Sequence, residues 1–291
     1  MQPTEALTSA ALNSLSRVSG SLAGTSAFTL FHMPLTRSRM RAAERELFGA
    51  AQLGRVKVNG KSAVTYRWGD GDRTVLLVHG WQSRGSRFAD FVPGLLDRGY
   101  RVVAFDAPGH GEGTGRSVNI LEYRDIIAEL HDQYGVFEAL VAHSMGVLGS
   151  FYALKHGVKA KRIVTIGGVC DFDYLVDEFC SALSLRRQLK TRLQGRIAKN
   201  LFPDLPADRT PFSVVHTAEY VESPILVIHD EDDTRIEVGQ GRRLAGAFGD
   251  RARLITTSGL GHRRILGDPE VVRAVLDFVE HGVSTTPALE R

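Results

Sequence analysis

Apolar residues along the chain fall into two patterns that take turns. Residues 75–78, 101–105, 139–142, 162–166, 225–228 and 253–257 are short, nearly continuous apolar runs, as Val75-Leu76-Leu77-Val78 illustrates. Runs of that length bounded by turn-formers suit strands buried on both faces. Between them the spacing changes to i, i+3, i+4, i+7. Phe88, Phe91, Val92, Leu95 and Leu96 follow it, with Gly99 as the stop, and Ile120, Tyr123, Ile126, Ile127, Leu130 and Tyr134 repeat it. Asp268 and Pro269 then read as N-cap and first position of a helix carrying Val271, Val272, Val275 and Val279. Strands alternating with helices predict parallel βαβ units in a doubly wound sheet.

Two shorter runs, 55–58 and 63–68, alternate instead and flank Asn59-Gly60. That dipeptide between alternating runs is a hairpin signal. They bring the count to eight strands: an antiparallel hairpin followed by a mostly parallel sheet. Residues 37–53 predict an amphipathic helix with Met40, Ala43, Leu47 and Ala51 on one face, ending at Gly54. Residues 1–24, rich in Ser, Ala and Thr, read as a weak helix or as disorder. Residues 171–220 are too long for an ordinary connection. Tyr174, Leu175, Phe179 and Leu183 have helical spacing, a basic stretch runs from Arg186 to Lys199, and Pro203, Pro206 and Pro211 interrupt the remainder of the segment. The expected division is an N-terminal extension at 1–50, an α/β core at 51–170 and 221–283, a helical cap at 171–220, and a flexible tail at 284–291. The basic stretch reads first as a solvated helix face; the sharper reading is a lid that attracts an anionic substrate.

Composition narrows the function classes. With 291 residues, 43% of them hydrophobic and 24% charged, the composition is ordinary for a soluble globular protein, and a net charge of +3 is too small to argue for nucleic acid. No dense basic run interleaved with aromatics calls for nucleic acid. The two cysteines, Cys170 and Cys180, make neither a disulfide framework nor a metal cluster. Neither a secretory signal nor a run of about 18 apolar residues is seen, so no integral membrane segment is expected and the default location is cytoplasmic.

The chemistry gathers around Ala142-His143-Ser144-Met145-Gly146, which follows one apolar run and precedes a helical one. A strand–turn–helix with a serine at its apex and small residues two positions to either side has the form of a nucleophile elbow. A serine needs a base and an acid to orient that base. His143 is the neighbour of Ser144 but points elsewhere on so sharp a turn. His262, in Gly259-Leu260-Gly261-His262 just past the last strand, is the favoured base. The run Asp230-Glu231-Asp232-Asp233, at the end of the 225–228 run, offers the acid: Asp233 by spacing, Asp232 as substitute. An oxyanion needs preset backbone donors. Met145, just after the serine, and Trp81, in His79-Gly80-Trp81-Gln82 after the first buried run, are the expected amides.

In order and spacing, His79-Gly80-Trp81, Asp106-Ala107-Pro108-Gly109-His110-Gly111, Ala142-His143-Ser144-Met145-Gly146, Asp230–Asp233 and Gly261-His262 together resemble the α/β-hydrolase superfamily over roughly residues 55–281. The resemblance implies an eight-stranded, mostly parallel sheet with a cap inserted after the sixth strand. It also implies Ser144, Asp233 and His262 as triad and Trp81 and Met145 as oxyanion amides. Ala142 replaces the usual first elbow glycine, and Asp230 stands where the acid loop often has glycine. The Asp106–Gly111 loop reads as shaping the sheet edge. Arg263 and Arg264 after the histidine read as surface or structural groups, with binding of a substrate carboxylate as the alternative.

The function expected on these grounds is a serine hydrolase that cleaves a small-molecule carboxylic ester or thioester, with no metal and no organic cofactor. Dehalogenases and epoxide hydrolases of this superfamily carry aspartate at the apex, which the serine argues against. Carbon–carbon bond hydrolases, amidases, acyltransferases and peroxidases share the same triad. A non-catalytic ligand-binding homologue and action at a membrane surface are the rivals from other classes.

Overall fold

The computed structural model describes residues 3–203 and 212–282. Eight strands form one sheet: β1 (Gln52–Val58), β2 (Lys61–Trp68), β3 (Thr74–Val78), β4 (Arg101–Asp106), β5 (Ala139–His143), β6 (Ile163–Ile166), β7 (Ile225–Asp230) and β8 (Ala252–Thr257). Their order in space is β1-β2-β4-β3-β5-β6-β7-β8. β1 and β2 are the predicted hairpin, β2 pairs antiparallel with β4, and every later pairing is parallel.

The helices are α1 (Pro3–Val18), α2 (Gly20–Phe31), α3 (Arg45–Gly49), α4 (Val92–Asp97), α5 (Ile120–Tyr134), α6 (Met145–Lys155), α7 (Phe172–Ala182), α8 (Arg187–Leu201), α9 (Val238–Phe248), α10 (Gly261–Arg264) and α11 (Pro269–His281). None is long and apolar enough to cross a membrane among the described residues. The two-residue period of the strands separates two cores. Leu76, Val78, Val103, Phe105, Leu140 and Ala142 face α5 and α6 in one core. Val75, Leu77, Val102, Ala104, Ala139 and Val141 face α4 and α11 in the other. The inner strands β3 to β7 are therefore mostly apolar, because nearly all their side chains enter one core or the other, whereas β1 and the edge strand β8 keep exposed positions.

α5 begins where the sequence gives it a capping box: Asn119 accepts from the Glu122 amide at 3.0 Å, and Glu122 accepts from the Asn119 amide at 3.1 Å. α11 is capped as expected by Asp268, which accepts from the amides of Glu270 and Val271 at 3.1 Å. The residues 88–96 pattern is split: Phe88 and Phe91 sit in a 3-10 segment, Gly85–Phe91, and only the second half is α-helical.

One prediction fails. The helix expected over 37–53 shrinks to a 3-10 turn at Ala42–Glu44 and the single turn of α3, and Gly54 lies inside β1 rather than ending an element. Tertiary contacts override the local periodicity. Arg37 donates to the carbonyls of Gly111 and Gly113 at 3.0 and 2.7 Å, which ties its segment to the loop after β4. Phe48 packs edge-on against Tyr66 and Trp68, and residues from Gln52 onward pair with β2.

The segment read as weak helix or disorder is two helices. They join the cap. Ala23, Gly24 and Ala27 are buried on the inner face of α2, whose small side chains bring its backbone close to Arg192 and Arg196 of α8. Arg196 donates to the Ser21 carbonyl at 3.0 Å. Asn13 of α1 is tied to the turn between α7 and α8 through Ser184 and Arg186, at 3.1 and 3.0 Å. The cap between β6 and β7 is thus α7 and α8, overlaid by α1 and α2. Pro206, Pro211 and the expected tail lie outside the described residues.

Candidate active site

Parallel strands leave their carboxyl ends on one edge of the sheet. The loops after β3, β5, β7 and β8 leave that edge carrying Trp81, Ser144, Asp233 and His262 respectively. The elbow has the strain its sequence predicts. Ser144 has φ 57° and ψ −130°, a conformation that costs a non-glycine residue about 1–3 kcal/mol. Close approach at this point demands small residues. A Cβ on Gly80 would stand 2.5 Å from the Ser144 Cβ, and one on Gly146 would stand 2.6 Å from the His79 carbonyl oxygen.

Ser144 Oγ lies 3.0 Å from His262 Nε2, and His262 Nδ1 lies 2.7 Å from Asp233 Oδ2. A carboxylate only accepts, so Nδ1 carries the proton and Nε2 is free to accept from the serine hydroxyl. Burial alone would raise the Asp233 pKa. Hydrogen bonds from His229, His262 and the Ile236 amide outweigh it and hold Asp233 well below the usual carboxylate range. Its second oxygen accepts from the amides of Arg235 and Ile236 at 2.8 and 3.0 Å.

The four-residue acidic run is divided by role. Asp230 is buried and accepts from Thr257 Oγ1 and from the amides of Leu260, Gly261 and Asp232, so it ties the acid loop to the histidine loop. Asp232 accepts from the Gly259 amide at 2.8 Å, and Glu231 pairs with Arg242. Of the four, Asp233 alone meets His262.

Three other histidines fix the frame. His79 Nε2 accepts from the Ala107 amide at 3.0 Å, which leaves Nδ1–H to donate to the Gly80 carbonyl at 2.8 Å. His110 Nε2 accepts from the Gln82 amide at 3.0 Å. The loop holding Trp81 is therefore gripped on both sides of that residue. His143, directed away from Ser144 as expected, approaches the His262 carbonyl through Nε2 at 2.8 Å. Burial lowers the pKa of His79 to about 4, and those of His110 and His143 to about 3, so all three are neutral near pH 7. The grips by His79 and His110 escaped the sequence reading, because their partners are backbone amides that no spacing reveals. Met145 is the first residue of α6, so its amide has no partner within the helix and stands at the positive end of the helix dipole.

The residues from Val75 to Val275 match a family model for alpha/beta hydrolases, which is more than half of the chain. The chain belongs to the alpha/beta hydrolase family. A non-heme chloroperoxidase of Kitasatospora aureofaciens is 38% identical over 85 residues, covering 27% of this chain and 30% of that protein. A pyrethroid hydrolase of Sphingobium wenxiniae is 31% identical over 103 residues, covering 33% of this chain and 35% of that protein. The alignments thus span about a third of the length of these relatives. Among solved structures, an esterase of Pyrococcus furiosus shares the fold with a TM-score of 0.62 at 18% identity, over 86% of this chain and 97% of that one.

In this alpha/beta hydrolase a cavity of about 560 Å³ opens onto Ser144 and His262. Core, cap and N-terminal segment all contribute walls. Leu148 comes from α6, Phe172, Leu175 and Phe179 come from α7, and Leu30, Phe31, Met33 and Leu35 come from the N-terminal segment. Phe31 meets Phe172 and Phe179 edge-on, with ring centroids 6.0 and 5.3 Å apart. Nothing in the sequence of residues 30–35 announced a pocket wall, since their neighbours there come from a cap about 140 positions away. The basic side chains of α8 do not line the cavity. Arg192 and Arg196 cover α2, and Lys190 pairs with Asp177 at 2.7 Å. Cys170 and Cys180 are buried and free, with burial pushing their thiols up to about 12 and about 11.

Proposed function

We propose that the protein hydrolyses a carboxylic ester or thioester through an acyl-enzyme on Ser144. The observation that carries this reading is the continuous line Ser144–His262–Asp233, 3.0 and 2.7 Å between its members, with the serine held at positive φ. His262 takes the Ser144 proton as Oγ attacks the carbonyl carbon. Asp233 keeps the imidazole in the productive tautomer and stabilises the imidazolium. The Trp81 and Met145 amides receive the oxyanion. His262 then returns the proton to the leaving oxygen or sulfur, and water releases the acid by the same steps in reverse roles. The apolar cavity takes the acyl group, and none of these steps calls on a metal or an organic cofactor.

The pyrethroid hydrolase relative supports hydrolysis. A protein that only bound a ligand would gain nothing from the strain at Ser144, which supports catalysis over binding. The test is hydrolysis of p-nitrophenyl acetate and butyrate by the wild type and by Ser144→Ala. We expect the substitution to lower kcat by about 10³-fold or more. Turnover by Ser144→Ala at the wild-type rate would overturn the proposal.

A further inference from the structure

Two arginines beside the proposed triad have no assigned task. Arg263 follows His262 directly, Arg235 lies two residues past Asp233, and both line the cavity with their side chains largely exposed. Neither has an acidic partner among the described residues. The other basic groups nearby are engaged. Arg264 is folded back on its own loop, donating to the carbonyls of Leu260 and Gly259 at 2.9 and 2.6 Å. Arg87 is bound to Glu44 and Ser38, and Arg41 lies 3.7 Å from Glu44. One carboxylate, Glu178 of α7, lines the same cavity, and it comes from the cap.

The placement of the pair indicates which part of a substrate it meets. In acyl transfer the group that protonates the leaving atom must stand beside that atom. That group is His262 in the proposed mechanism, so the leaving alcohol or thiol departs on the side of the histidine and acid loops. Arg235 and Arg263 belong to those two loops, whereas the apolar wall formed by Leu148, Phe172 and Phe179 is the place for the acyl chain. We propose that the natural leaving group is an alcohol or thiol bearing a carboxylate or phosphate, held by Arg235 and Arg263. This inference rests on the ester or thioester reading and narrows its substrate class. No bond beyond those of that reading forms or breaks: the anion remains on the leaving group, which departs with the proton from His262.

The experiment compares butyrate esters of similar leaving ability: 4-carboxyphenyl and 4-phosphonophenyl butyrate against neutral 4-carbamoylphenyl butyrate. The ratio of kcat/KM, anionic over neutral, should exceed one in the wild type and fall at least about fivefold between 20 and 500 mM salt, because exposed charges are screened. It should fall about fivefold or more in the Arg235→Ala/Arg263→Ala protein, with KM for the anionic esters carrying the change. The probe that loses more identifies carboxylate or phosphate as the preferred anion. Arg264→Ala, with its guanidinium turned onto the loop, should keep the wild-type ratio. The wild-type salt series decides the matter even where the double variant folds poorly. Ratios near one at every salt concentration, or ratios unchanged in a folded double variant, would overturn the proposal. Failure to hydrolyse any of the three esters would count against the ester reading itself.

Discussion

Asp233 and Asp232 are chemically alike and adjacent, and their surroundings assign them different work. Asp233 is buried against His262 and accepts two backbone amides; Asp232 is exposed and accepts one, from Gly259. Asp233→Asn keeps the shape but removes the charge and invites the wrong imidazole tautomer, so ester turnover should fall about 10³–10⁴-fold. Asp232→Asn should retain turnover within about threefold and cost at most about 1 kcal/mol in denaturant unfolding. Kinetics on the two purified variants check this, and equal losses in both would remove Asp233 from its proposed role. At this scale the sequence was legible where the backbone dictates the residue: Ser144 at a turn between small neighbours, His262 in a glycine-flanked loop. It favoured Asp233 by spacing but kept Asp232 as a substitute, because the choice depends on how the chain turns after β7. Arg263 and Arg264 were likewise indistinguishable, and separate in the fold when one guanidinium folds back onto its own loop while the other lines the cavity.

Elements whose periodicity agrees with their burial were readable, and those recruited by distant partners were not. The inner parallel strands are mostly apolar because both faces are covered, and α5 and α11 carry their own caps. Residues 37–53 have a helical stripe, but edge pairing with β2 and the packing of Phe48 on Tyr66 and Trp68 divert most of that stretch. The α1–α2 pair holds the reverse lesson: a low-complexity, alanine- and serine-rich stretch becomes ordered because α8 offers it a surface. Its last turn then enters the cavity. Phe31→Ala should remove an aromatic wedge from between Phe172 and Phe179 and enlarge the acyl space. Turnover of p-nitrophenyl esters should shift toward longer or bulkier acyl chains, with a loss of about 2 kcal/mol in stability, less than for a fully buried phenylalanine. An unchanged chain-length profile would place Phe31 outside the acyl site.

The whole molecule stores acid sensitivity in its frame. His79, His110 and His143 are buried and neutral, with folded pKa values of about 4, about 3 and about 3 against an unfolded value near 6.5. The unfolded chain therefore takes up protons first as pH falls. Stability from these groups is complete above about pH 6.5 and is lost as pH drops toward 4 and then 3. Each histidine contributes a slope of about 1.4 kcal/mol per pH unit inside its window. Asp233, Asp230 and Glu138, whose pKa values are also lowered in the fold, add loss of the same sign at the acid end. Urea midpoints should fall steeply between pH 6 and pH 4, and His110→Gln should flatten that fall. A midpoint that holds level across this range would contradict the buried neutral histidines. Because these side chains grip the Trp81 loop and the His262 backbone, acid should disable the site as the frame loosens.

The most direct test of Ser144 as an activated nucleophile is intact-mass analysis after brief exposure to a fluorophosphonate near pH 7.5, followed by peptide mapping. One phosphonyl adduct on Ser144 is expected, formed fast in the wild type and at least about 10³-fold more slowly in His262→Ala. A wild-type protein that stays unlabelled, or a label on a different serine, would contradict the proposed acyl-enzyme chemistry.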